Sequence, residues 1–228
     1  MTISNFGLTN AQRGEVNKRG WSFLRMPGLV CQPCIEDDLL GIARTIGTPT
    51  STRGGNMVDV LRPVEPGDAR PRSLSAMFGQ HAQPWHVDLS HRAVPARYIL
   101  LMCQSSGSAG ATTDLINVEL FLHRHCLVDA FSEPFLVRSG KRSFYATLLT
   151  KNRSYLRFDP GCMQGVTDKA RLLMRKLLDE SPPPCYSHIW NTGDLLVIDN
   201  WKMLHKRADA RYAPDRTLLR VSVMGDEK

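Results

Sequence analysis

No stretch of this 228-residue chain approaches the ~20 consecutive apolar residues that a membrane helix requires. The greasiest runs, Tyr98–Cys103 and Leu195–Ile198, have the length of strands. The N-terminal residues Met1-Thr2-Ile3-Ser4-Asn5 lack the basic patch and apolar core of a secretory signal, so the expectation is a cytoplasmic protein with no membrane contact. Runs of basic residues longer than two are also missing. The net charge of +7, from 29 Lys and Arg against 22 Asp and Glu, is therefore spread along the chain, and nucleic acid is not expected as a partner. Six cysteines lie far apart except for Cys31 and Cys34, which argues for reduced thiols rather than a disulfide framework. Repeats and long low-complexity linkers are absent, so residues 1–228 are read as a single domain.

What the chain does have is 42% hydrophobic residues, enough for a substantial core. Trp21–Met26 reads as a strand. Ile35–Ile46 puts Ile35, Leu39, Leu40, Ile42, Ala43 and Ile46 on one helical face, with Gly47 as its stop. Short apolar runs broken by Pro and Gly follow (Met57–Leu61, Pro84–Leu89, Arg97–Cys103), the pattern of antiparallel strands. Asn117 is placed at the start of a helix to about Val128. Thr167 starts another, with Ala170, Leu173, Met174, Leu177 and Leu178 as its buried stripe and Pro182–Pro184 beyond its end. Ser187–Trp190, Leu195–Ile198 and Thr217–Met224 return to strands. Strands before, between and after a few helices, without βα alternation, predict a mainly β fold with peripheral helices, a sandwich or jelly roll.

Within Pro84–Leu89, read as a strand, His86 and Asp88 would share a face and reach one metal ion. Far downstream comes Gly193-Asp194-Leu-Leu-Val-Ile-Asp199-Asn200-Trp201-Lys-Met-Leu-His205, followed by Arg216 and Arg220. His86-x-Asp88, a distant His205 and an arginine eleven residues later resemble the taurine dioxygenase (TauD/TfdA) family of Fe(II)- and 2-oxoglutarate-dependent oxygenases. Ser73-Leu-Ser75, Pro95-Ala-Arg97-Tyr98, Gly110-Ala-Thr112-Thr113 and Tyr155-Leu-Arg157-Phe-Asp159-Pro160 resemble segments of its small bacterial members, so the likeness runs from about Trp21 to Val223.

The resemblance implies a double-stranded β-helix with His86, Asp88 and His205 as metal ligands and catalytic centre. Two histidines and one carboxylate form the facial triad of non-haem iron sites, which leaves positions open for a co-substrate and dioxygen, whereas zinc more often takes four closed ligands or a cysteine cluster. The implied cofactors are Fe(II), 2-oxoglutarate and dioxygen. Arg216 would take the distal carboxylate of 2-oxoglutarate through paired hydrogen bonds, with Thr113 as a second donor. Arg220, on the interior face with Arg216 if the strand runs through both, would meet an anionic group of the substrate; Asp159 and Asp114 are alternative protein partners for it. Asp199 and Asn200 are expected to turn the chain so that His205 aims inward. Trp85, Trp190 and Trp201 are candidates for the pocket wall.

The default reaction is hydroxylation of an aliphatic C–H, with desaturation, epoxidation and ring closure left open, in a small molecule: an amino acid, a small acid or a natural-product intermediate, anionic or tethered to an acidic carrier protein. Asp88 fills the ligand position that halide-transferring relatives leave open. Two other readings stand beside this one. Cys31-Gln-Pro-Cys34 between a strand and a helix has the context of a thiol-disulfide oxidoreductase, and a jelly roll can keep metal ligands without turnover. His123 and His125, two apart on a helix, diverge too far to clamp a metal.

Overall fold

The computed structural model describes residues 7–30, 34–52, 55–108, 111–125, 132–150, 152 and 154–225. Twelve strands and six α-helices are built from them: α1 (Asn10–Arg19), β1 (Trp21–Arg25), α2 (Pro27–Val30), α3 (Ile35–Arg44), β2 (Thr48–Thr50), β3 (Val58–Leu61), α4 (Leu74–Phe78), β4 (Tyr98–Ser105), β5 (Thr113–Asn117), α5 (Val118–His125), β6 (Phe135–Ser139), β7 (Arg142–Ala146), β8 (Met163–Gly165), α6 (Asp168–Asp179), β9 (Tyr186–His188), β10 (Asp194–Asp199), β11 (Met203–Arg207) and β12 (Thr217–Met224).

The major sheet has the order β1-β10-β4-β12-β2, with β3 also pairing with β12, and every pairing in it is antiparallel. Its two faces are both covered. Leu100, Met102, Leu195, Val197, Leu219, Val221 and Val223 point outward against Leu39, Ile42 and Ala43 of α3 and Val16 of α1. The alternate residues Ile99, Leu101, Cys103, Leu196, Ile198 and Leu218 point inward, toward Leu115 and Met203 of the second sheet, β11-β5-β9. Burial on both faces explains why β10 is an unbroken apolar run rather than an alternating one. Two facing antiparallel sheets with helices on the outside make the jelly roll read from the sequence.

A third sheet, β7-β6-β8, closes one side with α6, whose Ala170, Leu173 and Leu177 pack into a core with Phe135, Val137, Trp85 and Phe158. Thr167 caps α6 through its hydroxyl, which accepts the Ala170 N–H at 3.0 Å. Gly165 lets α6 approach, because a Cβ there would lie 2.6 Å from the Ala170 backbone.

Several local expectations change. Pro84–Leu89 is not a strand: His86 makes one isolated bridge to His205, and the chain then turns at Asp88–Ser90, with Leu89 at φ 56°. Arg216 lies just before β12 rather than within it, and the pairing of β12 with β4 shifts between Thr217 and Leu218. The expected end of the helix after Asn117, near Val128, falls outside the described residues, as do Cys31 and Gly110.

Candidate metal centre and co-substrate pocket

Backbone parity brings the site together. His205 shares the inward face of β11 with Met203, and its backbone exchanges two hydrogen bonds with His86, at 2.9 and 3.0 Å. The turn after His86 then folds the Asp88 carboxylate back beside both imidazoles. His86, Asp88 and His205 each offer a ligand atom, all within 4.8 Å of one another, and all three residues are buried. His86 Nε2 is 4.0 Å from Asp88 Oδ1 and His205 Nε2 is 3.8 Å from Asp88 Oδ2.

The protonation states suit a cation. His86 Nδ1 lies 2.9 Å from the Pro84 carbonyl oxygen, which can only accept, so Nδ1 carries a proton and Nε2 is the nitrogen turned toward Asp88. Burial, then the neighbouring His86 and Arg220, push the His205 pKa down to about 3, against the pull of Asp88. Burial alone would raise the Asp88 pKa, but the charges of Arg220, His205 and His86 hold it at about 2. A neutral His205 imidazole, the Nε2 of His86 and an ionised Asp88 carboxylate therefore converge on one point, the donor set of a facial triad rather than of a closed zinc site.

The triad opens into a cavity of about 570 Å³ whose wall carries seven arginines and lysines against four aspartates. Arg216 is 4% exposed; it donates from Nη1 to the Ala111 carbonyl oxygen at 2.7 Å and has no carboxylate partner among the described residues. Burial lowers its pKa. Thr113, at the start of β5, also lines the cavity; its Oγ1 accepts the indole N–H of Trp190 at 3.0 Å, which leaves its own hydroxyl hydrogen free to donate.

Arg220 is the member whose surroundings differ most from expectation. Its Nη1 contacts both Asp88 oxygens, at 3.0 and 2.9 Å, and its Nη2 contacts Asp59 Oδ2 at 2.9 Å. The two protein carboxylates beside it are thus Asp59 and Asp88, not Asp159 or Asp114. Asp159 instead lines the cavity, where its Oδ1 accepts the Gly161 N–H at 2.8 Å and burial raises its pKa, against the lowering influence of His86. Asp114 lies 3.9 Å from the Lys206 ammonium and accepts a hydrogen bond from Thr112.

The tryptophans stand behind the cavity rather than in its wall. Trp85 is buried under the Lys206 ammonium, Trp190 backs Thr113, and Trp201 donates to the Pro95 carbonyl. Sequence reasoning missed Asp59; its signal was a charged residue inside the apolar run Val58-Asp59-Val60. Cys34 is exposed and free, while Cys31 lies outside the described residues.

Residues 119–222 match the model of the taurine catabolism dioxygenase TauD, TfdA family. No curated protein matches the sequence. Among solved structures, asparagine oxygenase in complex with Fe(II), 2S,3S-3-hydroxyasparagine and succinate is similar over 94% of this chain and 78% of that one, with 18% identity and a TM-score of 0.72. A taurine dioxygenase from Burkholderia xenovorans covers 97% of this chain and 84% of its own, at 17% identity and TM-score 0.68. AAD-2 in complex with Mn(II) and N-oxalylglycine covers 100% and 97%, at 16% identity and TM-score 0.69.

Proposed function

From a chain whose residues 119–222 carry the TauD/TfdA signature and whose fold is shared along its length with iron oxygenases, we propose an Fe(II)- and 2-oxoglutarate-dependent oxygenase that hydroxylates a small molecule. The observation that carries this is the buried convergence of His86, Asp88 and His205 beside a buried arginine, Arg216, that has no carboxylate partner among the described residues. Arg216 lacks a counter-charge from the described residues, and a dicarboxylate co-substrate brings one.

His86 Nε2, an Asp88 oxygen and His205 Nε2 hold the metal in this reading, and residues 1–228 serve as one catalytic domain. With 2-oxoglutarate and dioxygen, Fe(II) in such a triad supplies the oxidising power for an aliphatic C–H, with succinate and carbon dioxide as co-products. Arg216 takes the distal carboxylate, and Thr113, fixed by Trp190, donates the second hydrogen bond. Leu89, Leu101 and Leu218 on the cavity wall keep the reacting region dry.

The substrate is a small amino acid or related acid. Asparagine oxygenase, with the same fold, holds a hydroxylated amino acid. Here Arg62 and Arg70 are exposed on the cavity wall without an ion pair among the described residues and suit an anionic group, free or leading to a carrier protein. Asp159, likewise without an ion pair among the described residues, suits a cationic one. Arg220 reaches a substrate anion only by releasing Asp59 or Asp88.

The test is succinate release from purified protein given Fe(II), 2-oxoglutarate and oxygen, alone and with a panel of amino acids and small acids. Turnover that depends on Fe(II) and is stimulated by one member of the panel supports the reading. Absence of succinate under every condition, with thiol-disulfide exchange by Cys31 and Cys34 instead, overturns it.

A further inference from the structure

Arg220 and Asp59 face each other directly across the antiparallel pair β12/β3. Asp59 is 5% exposed, and its Oδ1 accepts the Thr52 hydroxyl at 2.6 Å, so the carboxylate is held from one side by Thr52 and from the other by Arg220. The guanidinium is consequently divided. Nη2 belongs to Asp59, while Nη1 alone spans the two Asp88 oxygens. An arginine with one carboxylate prefers a fork of two parallel N–H donors, which would replace the shared contact of Nη1 by a separate, stronger hydrogen bond to each oxygen of that partner. Such a fork on Asp88 would compete with a metal ion for the same lone pairs, and a full positive charge would sit beside the divalent site.

We infer that Asp59 is the internal counter-ion that divides the Arg220 guanidinium between two carboxylates and thereby keeps Asp88 available to a divalent metal. Asp59 is a positioning residue: it acts on the site through Arg220. The pair also occupies the inward face where a substrate anion would otherwise meet Arg220, which leaves the exposed Arg62 and Arg70 for that task. The inference rests on the reading of His86, Asp88 and His205 as the metal site.

Mn(II) titration of the metal-free protein, followed by the electron paramagnetic resonance signal of free Mn(II), tests it without any turnover. Asp59→Asn is expected to raise the Mn(II) dissociation constant at least about tenfold. Arg220→Gln removes the competing guanidinium, so in that background Asp59→Asn should change the constant less than about threefold. A structural role for Asp59 would weaken binding equally in both backgrounds, and that result overturns the inference, as does an unchanged constant in Asp59→Asn. If Asp59→Asn does not fold, Thr52→Val, which frees Asp59 Oδ1, should weaken Mn(II) about threefold in the wild type and not in Arg220→Gln; equal effects overturn the inference. Failure of the wild-type protein itself to bind Mn(II) would instead reject the metal site, and the inference with it.

Discussion

Asn200 grips the backbone of Asp88 from 112 residues away: its Oδ1 accepts the Asp88 N–H at 3.0 Å and its Nδ2 donates to the Asp88 carbonyl oxygen at 3.1 Å. The same Nδ2 donates to the Ala96 carbonyl at 2.8 Å. Together with the two backbone hydrogen bonds between His86 and His205, this locks the turn that carries Asp88 to the turn and strand, 200–207, that carry His205. Asp88 follows no regular strand, so its carboxylate is aimed by these bonds rather than by a sheet.

Asn200→Ala should therefore act on metal binding as well as on stability. The buried Asp88 amide and the Ala96 carbonyl lose their partner, a cost of about 1–3 kcal/mol for each polar group left unsatisfied. Melting temperature is expected to fall, and the Mn(II) dissociation constant to rise at least about tenfold. A variant that melts early yet binds Mn(II) normally would show that the turn keeps its shape without the grip.

His86→Ala, Asp88→Ala and His205→Ala should each abolish metal binding and 2-oxoglutarate turnover while the far-ultraviolet circular dichroism is preserved. A three-ligand site holds Fe(II) poorly with two ligands. Loss of the fold is not expected, because the apolar layers on both faces of the major sheet do not include these side chains. Asp88→Ala is the informative member, since it leaves Arg220 with Asp59 alone. A variant that keeps wild-type turnover removes its residue from the triad.

The elements visible in the sequence are those with one dominant pattern. α3 and α6 have strong apolar stripes, and β10 and β12 have long buried runs. α1 has no such stripe: Val16 is its only buried residue, so the periodicity signal is missing although Thr9 and Gln12 form a capping box that could have marked its start. The spacing of His86 and Asp88 suggests strand parity, whereas in the structure a turn brings the two side chains together. Asn200 stands at the turn expected of it, but its side chain bonds Asp88 and Ala96 rather than neighbouring backbone. Contacts that span a hundred residues leave no local trace, and Asp59 opposite Arg220 is of the same kind.

With Arg216 in its proposed role, Arg216→Leu deletes a charge-assisted pair worth about 1.5–3 kcal/mol and should raise the 2-oxoglutarate requirement at least about tenfold. Trp190→Phe keeps the ring but removes the indole N–H that fixes Thr113, and should raise it by a smaller factor, about three- to fivefold. Both are read from the 2-oxoglutarate dependence of succinate release, with Mn(II) affinity as the control that should not move. An unchanged requirement in Arg216→Leu would mean that another cation, such as the nearby Arg207, anchors the carboxylate.

Acid should destabilise the metal-free protein through His205 before it does so through the carboxylates. Burial, with His86 and Arg220, sets the folded-state pKa of His205 at about 3, far below the ordinary 6.5. Below pH 6.5 the unfolded chain binds a proton there that the folded chain refuses, so stability is full above that value and falls as the pH drops toward 3. At pH 5 the loss from this one group is about 2 kcal/mol. Asp88 works in the same direction only at lower pH, because its folded pKa of about 2 lies below the ordinary 3.8. Asp199 opposes both: burial raises its pKa, so acid relieves rather than adds strain there. The measurement is thus a comparison, thermal melting of wild type and His205→Gln between pH 7.5 and 5. The neutral glutamine is expected to flatten the dependence by about that amount, and an identical slope in the two proteins would assign the acid sensitivity to another group.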